Sequence, residues 1–341
     1  TGSVPSVQKT ERVAPISIMA LTRPWSFFEK NMGNSTSKFT APITKPIMIK
    51  IDDLIPCFWI IPMLQIYCNC GKSKYVMKWA YFYIMDQLSV ITICFNNLSD
   101  LQRTCDSVDT QSVKPYEHYI IDGSTNTDIA DWLQNTPQPT YRKWLCERDK
   151  GISDAFNKGI QLSTGSLIHI LNSADIYFSK TVIENVLKYF NSNQTVQWAS
   201  GKICMKRGGI WVNIGVPFDA GQLYKGMRSV SHPTWFLKKE LYQKLGHFSL
   251  DIKIAMDYDL MCRLKNETYG FMDETIVKFD DSGVSTNQYL KSLKENVKVY
   301  ESYFGFSIAA RIWQFRLSLL FYLLQSSFGK FLYAIKARNL K

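Results

Sequence analysis

The stretch Ser166-Leu-Ile-His-Ile-Leu-Asn-Ser-Ala-Asp175 reads as a short apolar strand, Ser166 to Leu171, that stops abruptly in a polar turn ending on a carboxylate. In open α/β sheets, ligands bind beyond the carboxyl ends of the strands. Asp175 is therefore a metal ligand, a nucleotide contact, or a turn or N-cap residue ahead of a helix starting near Lys180. The residues around it narrow that choice.

Upstream, strand and helix signals alternate from Leu88, the pattern of a mostly parallel sheet. Leu88 to Phe95 is a buried strand, followed by a helix over 98–112. Tyr116 to Ile121 is the second strand, and a helix over 128–134 follows it. Tyr141 to Cys146 is the third, leading through a polar loop to a helix over 152–162. Gly165 reads as the glycine that closes that helix. Downstream come a helix over 180–190 and then shorter elements: strands over 197–205 and 210–216, the irregular run Val230 to Leu237, and a helix over 238–245. A further helix starts near Met256, a strand covers 271–279, and a last helix covers 288–303. Pro233 cannot donate to a ladder, so its run reads as an edge or irregular strand.

Each parallel strand brings polar residues to the same sheet edge: Asn96-Asn97, Asp122, Glu147-Arg148-Asp149 and Asp175. Like charges brought together raise each other's energy unless a cation or a ligand donor relieves them. That edge is the expected binding site. A second acidic group, Asp257 and Asp259, lies two residues apart, so the pair does not share a helix face. Asp257 falls in the first turn of a helix, where a carboxylate suits the dipole. His232, in Ser231-His-Pro-Thr234, is a candidate contact for phosphate or acceptor, as is Arg263; a core histidine is the plainer alternative for the first.

The chain has 341 residues, a formal net charge of +11, and 46% hydrophobic residues, enough for a substantial core. The charge is uneven: +6 in 1–84, −1 in 85–304 and +6 in 305–341. A nucleic-acid-binding domain would carry its positive charge on the folded core. Excess at the ends, beside apolar residues, fits an anionic membrane surface instead. The eight cysteines show no paired CxxC; Cys68-Asn-Cys70 stands alone, and Cys94 and Cys146 read as buried thiols. This usage suits a reducing, cytoplasmic setting. No signal peptide is apparent near Thr1, and Leu54 to Cys68 is too short and too proline-broken to span a bilayer. Residues 306–338 read as one or two amphipathic helices, interfacial or packed on the domain. The P-loop, GxGxxG, GxSxG, HExxH and kinase motifs are absent, which removes support for ATP hydrolysis and hydride transfer.

Val90-Ile-Thr-Ile-Cys-Phe-Asn96, Ile121-Asp-Gly-Ser-Thr125, Glu147-Arg-Asp-Lys-Gly-Ile-Ser-Asp-Ala-Phe-Asn-Lys-Gly159, Leu171-Asn-Ser-Ala-Asp175 and Lys253-Ile-Ala-Met-Asp-Tyr-Asp-Leu260 together resemble the inverting glycosyltransferases of family 2, closest to the bacterial members that build cell-surface polysaccharide. The resemblance covers Met85 to about Tyr303. It implies a GT-A fold: a Rossmann-like, mostly parallel sheet flanked by helices over 85–304, with an N-terminal extension over 1–84 and a membrane-associating amphipathic segment over 305–341. It implies a nucleotide-sugar donor, taken as a UDP-sugar, bound by Phe95, Asn96, Asp122, Asp149, Asp154, Lys158 and Ser173. Asp175 would hold Mg²⁺ or Mn²⁺, and Asp257 would be the catalytic base toward a glycan or lipid-linked acceptor. The location implied is the inner face of the cell membrane. Ala174 stands where the family often has a second acid or glycine, so coordination would rest on Asp175 plus diphosphate and water. Met256 stands where many relatives have Glu. A catalytically silent nucleotide-binding protein and a nucleotidyltransferase are the competing readings.

Overall fold

The computed structural model describes residues 86–207, 209–227, 230–279 and 288–326. The extension 1–84, with Cys68-Asn-Cys70 and Leu54 to Cys68, lies outside the described residues, as does the basic end of the C-terminal segment.

The first half follows the sequence closely. Strands β1 (Leu88–Cys94), β2 (Glu117–Asp122), β3 (Arg142–Cys146) and β4 (Leu167–Ile170) alternate with helices α1 (Leu98–Asp109), α2 (Asp128–Asn135) and α3 (Ile152–Leu162). Pairing is parallel between β1 and β2, β1 and β4, and β2 and β3. Both faces of β1, β2 and β4 are covered, which suits the apolar runs of β1 and β4, whereas β3 is largely exposed. Ile91, Ile121, Ile168 and Ile170 pack with Ala155, Phe156 and Ile160 of α3. Leu88, Val90 and Leu167 face the other way, toward Val182, Val186 and Phe190 of α4 (Val182–Ser192). Ile120 closes a third cluster with α1 and α2.

Beyond β4 the sheet is mixed. It continues through β5 (Ile176–Tyr177), β6 (Trp198–Arg207), β7 (Ile210–Ile214), β8 (Phe236–Lys238) and β9 (Tyr269–Lys278), in the order β3-β2-β1-β4-β8-β6-β9-β5 with β7 beside β6. β8 is antiparallel to both β4 and β6, so it is an interior strand. Of the two readings of 230–237, edge or irregular, the second holds: Pro233 sits in the 3-10 turn His232–Thr234, where its missing N–H costs no ladder bond, and only the residues after it pair. Helices α5 (Lys239–Leu245), α6 (Met256–Arg263), α7 (Tyr289–Phe304) and α8 (Ile308–Gln325) complete the described chain.

Two smaller expectations also change. α3 ends at Leu162, and Gly165 serves close packing rather than helix termination: a Cβ there would stand 2.4 Å from the Gln87 carbonyl oxygen and 2.5 Å from Ser89 Oγ. Cys146 is exposed, not buried, because β3 is the outermost strand at its end of the sheet.

At the amino edge of the parallel strands Glu117 forms a clasp that no motif announces. Its carboxylate is fully buried and accepts hydrogen bonds from Ser89 Oγ (2.6 Å), Thr164 Oγ1 (3.0 Å), Gly165 N (3.2 Å) and Thr164 N, and pairs with Lys143 Nζ at 3.0 Å. Burial works to raise its pKa, but the hydrogen bonds from Ser89, Thr164, Lys143 and Gly165 outweigh it and hold the carboxyl below its ordinary range. Glu117→Ala would remove the acceptor shared by the buried Ser89 hydroxyl, the buried Gly165 amide and the exposed Thr164, and a buried group left unpaired costs about 1–3 kcal/mol. After partial relaxation we expect a loss of about 3 kcal/mol in urea denaturation. A loss below about 1 kcal/mol would show that the clasp contributes little.

Candidate active site

The carboxyl edge of β1 to β4 brings the sequence-derived residues together. In the cross-strand register Cys94 stands opposite Asp122, and Asp122 opposite Cys146. The β1 loop is stitched to the β2 loop by Asn96. Its Oδ1 accepts from Thr125 N at 2.9 Å, its Nδ2 donates to Thr125 Oγ1 at 3.0 Å, and its amide donates to Ser124 Oγ at 2.8 Å. Asn96 has φ +53°, a left-handed conformation that asparagine tolerates. Phe95 is exposed beside it.

Asp122 is buried and accepts from the Ser124 amide at 3.0 Å. Asp149 accepts from Gly151 N at 2.8 Å and lies directly on Gly123, where a Cβ would fall 1.9 Å from its Oδ2. A larger residue at 123 would force the Asp149 carboxylate out of this position against the β2 turn. Asp154 and Lys158 shape the same loop from α3. Asp154 accepts from Lys150 N at 2.9 Å, while Lys158 pairs with Glu147 at 2.9 Å and donates to the Arg148 carbonyl at 2.8 Å.

The β4 turn sits alongside. Asn97 Nδ2 donates to Ser173 Oγ, and Ser173 N donates to the Ile93 carbonyl at 3.2 Å, tying the turn to β1. Ala174 has φ +84°, a conformation that costs a residue with a Cβ about 1 kcal/mol or more. It is held there by Thr104 of α1, whose hydroxyl accepts from the Ala174 amide at 3.0 Å and donates to the Asp175 carbonyl at 2.8 Å. Asp175 is 3% exposed, and α4 begins only at Val182, so Asp175 is not that helix's N-cap. Among the described residues no three His, Cys, Asp or Glu side chains gather as a metal cluster. Asp175 offers the carboxylate oxygen that Mg²⁺ or Mn²⁺ favours, and an ion there would draw its remaining ligands from phosphate and water.

Asp257 lines a cavity of about 840 Å³ with Ser231, His232 and Asn172, the residue that opens the β4 turn. That cavity therefore reaches from the α6 end to the turn carrying Asp175. Burial pushes the Asp257 carboxyl up to about 6, and the nearby Glu295 carboxylate adds to the rise. Glu295 of α7 also fixes the approach to α6, accepting from Ile254 N and Ala255 N at 2.7 Å each and from Lys253 N at 3.2 Å. His232 is buried among Phe156, Trp235 and Phe248, and burial, reinforced by His169, lowers its pKa to about 3, so it faces the cavity as a neutral ring. Asp259 and Arg263 stand apart: they pair at 2.7 Å, Tyr303 donates to Asp259, and Arg263 donates to the Leu245 and Gly246 carbonyls. Those bonds lock α6 to α5 and α7.

A glycosyltransferase of Mycobacterium tuberculosis is 34% identical over 181 residues, spanning 52% of this chain and 68% of its own. The description "Glycosyl transferase family 2" matches residues 89–254.

The chain belongs to glycosyltransferase family 2.

A second relative, named as a PGL/p-HBAD biosynthesis glycosyltransferase of Mycobacterium bovis, is 22% identical and covers 62% of this chain and 85% of its own. Among solved structures, Staphylococcus aureus TarS 1–349 in complex with UDP-GlcNAc aligns with TM-score 0.49 at 14% identity, over 64% of this chain and 67% of that one; the alignment spans 40% of the longer TarS chain. The fold of this glycosyltransferase is of the GT-A type, and its activity is transfer of a glycosyl group.

Several parts of the candidate site are not signalled by the sequence. Thr104 falls on the buried face of α1 between Leu101 and Cys105 and looks like helix filler. Glu295 sits in a surface-like helix. The cavity wall contributed by α8 was visible only as an amphipathic segment.

Proposed function

We propose that this glycosyltransferase inverts configuration while moving a sugar from a nucleotide-sugar donor, taken as a UDP-sugar, to a hydroxyl of a glycan or lipid-linked acceptor in cell-surface polysaccharide biosynthesis at the inner face of the membrane. The observation that carries this is Asp257, a carboxylate with a raised pKa in a cavity that also reaches the Asp175 turn. On this reading Phe95, Asn96, Asp122, Asp149, Asp154, Lys158 and Ser173 form and support the nucleotide pocket. Asp257 accepts the acceptor proton as its oxygen bonds to the anomeric carbon, and the nucleoside diphosphate departs from the opposite face. His232 and Ser231 orient the hydroxyl. Asp175 would hold Mg²⁺ or Mn²⁺, which when bound offsets negative charge on the leaving diphosphate. Residues 85–304 would be the catalytic domain and 305–341 the membrane-associating segment. Among the described residues no helix is long and apolar enough to cross a membrane.

A panel of sugar nucleotides with Mn²⁺ and mixed glycan and lipid acceptors tests the proposal. Turnover is expected with one donor class, and Asp175→Ala is expected to lower it about 100-fold, the effect of removing one electrostatic stabiliser. Full turnover in Asp175→Ala would remove Asp175 from the leaving-group side.

A further inference from the structure

Helix α8 carries two apolar stripes, and one of them is a wall of the Asp257 cavity. Trp313, Leu317 and Phe321, spaced i, i+4 and i+8, line the cavity. Ile308, Ile312, Phe315 and Leu319 follow one another at spacings of four, three and four on the outer side, and the last three are 60–70% exposed. Leu320 and Leu324 belong to both sides: they line the cavity and are also exposed. An apolar path thus runs from the outer surface of α8 into the chamber that holds Asp257.

The chamber itself is polar where it meets the β4 turn and apolar along α8. Asn172 Oδ1 and Trp313 Nε1 are buried there with no hydrogen-bond partner, one an acceptor and the other a donor. Buried polar atoms left in this way are costly unless a ligand completes them. The Trp313 ring is flanked by Lys225 at 5.1 Å and Arg316 at 4.9 Å. Residues 305–341 hold six Lys/Arg and no Asp/Glu in sequence, and of these Arg311 and Arg316 lie on α8 itself. α8 is fixed in this position: Ser307 caps its first turn, Arg311 makes a two-pronged pair with Glu301 of α7 at 2.8 and 2.9 Å, and Phe321 stacks on Tyr289.

We propose that the inner stripe of α8 is a subsite for an alkyl aglycone carried by the acceptor, and that the outer stripe rests on an anionic lipid surface from which that acceptor enters. This rests on the reading of Asp257 as the acceptor-side base. Asn172 and Trp313 would take polar atoms of the acceptor head, and Leu317 and Phe321 the first methylenes of its tail.

Calorimetric titration with methyl, butyl, hexyl and octyl β-D-glucosides, each below its micelle-forming concentration and with UDP present, decides the matter without requiring turnover. Affinity should rise about three- to fourfold for each methylene that reaches the wall. Leu317→Ser and, as a second variant, Phe321→Ser should flatten that series while keeping the native circular dichroism. Leu319→Ser should leave the series unchanged and reduce sedimentation with phosphatidylglycerol vesicles relative to phosphatidylcholine vesicles. Equal affinity for the methyl and octyl glucosides would overturn the subsite. So would loss of the chain-length dependence in Leu319→Ser alone, which would put the tail on the outer face. Asp257→Asn should retain the binding series while losing transfer. If it retained transfer as well, the base assignment would fail and the binding series would still judge the subsite.

Discussion

Replacing Asp257 by Asn is expected to lower kcat about 1,000-fold, within the range for loss of a general base, with affinity for the nucleotide donor nearly unchanged. The amide keeps the shape and the hydrogen bond to the Tyr258 amide at 2.7 Å, so the helix should stay in place. It loses the ability to take a proton from a hydroxyl that is a weak nucleophile at neutral pH. The wild-type pH profile carries the same information. A carboxylate base works only when ionised, and burial places the Asp257 carboxyl at about 6. The acid limb of kcat/KM should therefore fall near pH 6, some two units above an ordinary aspartate. Glu295→Gln removes a neighbouring negative charge and should move that limb to lower pH. A flat profile between pH 5 and 7 in an active enzyme would contradict the role of Asp257.

Stability should fall steeply between pH 6.5 and 4.5, and the cause is three buried histidines. His118 accepts from Arg142 Nε at Nδ1, so its Nε2 donates to Thr92 Oγ1 at 2.9 Å. His169 donates from Nε2 to the Pro233 carbonyl at 2.9 Å and accepts from the Tyr177 hydroxyl at Nδ1, 2.8 Å away. His232 is enclosed by aromatic rings. Burial is the main cause in all three: it lowers His169 to about 4, His232 to about 3, and His118 well below its ordinary value. A histidine whose folded pKa is depressed stays neutral in the native state while the unfolded chain takes up a proton below about 6.5, so acid favours unfolding. Asp257 acts in the opposite sense, since its folded pKa is raised and the native state binds its proton first. Near pH 5 the balance is about two protons taken up on unfolding, a slope of about 2.7 kcal/mol per pH unit. Below about pH 4.5 the depressed Glu117 carboxyl adds to the loss. Denaturant titrations at pH 7, 6 and 5 measure this directly. Equal stability at pH 7 and 5 would mean that the histidines are charged in the native state.

The strands and helices from Leu88 to Ser192 could be read from the chain because each carries its own period and its own stop signal. The residues of β1, β2 and β4 alternate between two covered faces; Asp122 ends β2, and Asn96, Asp149 and Asp175 fall in the turns and loops after strands. Parallel pairing then puts them at one edge with no further information. His169 shows the limit of that reading. Within Leu167-Ile-His-Ile170 it looks like one polar residue in a buried strand, yet it ties β4 to the Pro233 turn and so helps to seat His232 at the cavity.

Elsewhere the local pattern was misleading or silent. Val230 to Leu237 has the composition of a strand, but its first residues form a 3-10 turn and the rest is threaded between β4 and β6. Gly165 resembles a helix terminator and is in fact a point of close contact with β1. Cys146, expected inside, is exposed because its strand ends the sheet order.

By itself, then, the sequence determined the α/β alternation, the polar and acidic residues at one sheet edge, and the family. These depend on residues close together in the chain, where strand period, turn chemistry and motif spacing act. The tertiary structure alone decided that Glu117 clasps the strand starts, that Thr104 holds Ala174 in a left-handed turn, that Glu295 reaches across about 40 residues to fix the chain before Asp257, and that α8 walls the cavity. Those arrangements join segments far apart in sequence. They are selected by packing and by the cost of leaving buried polar groups unpaired, which no local pattern records.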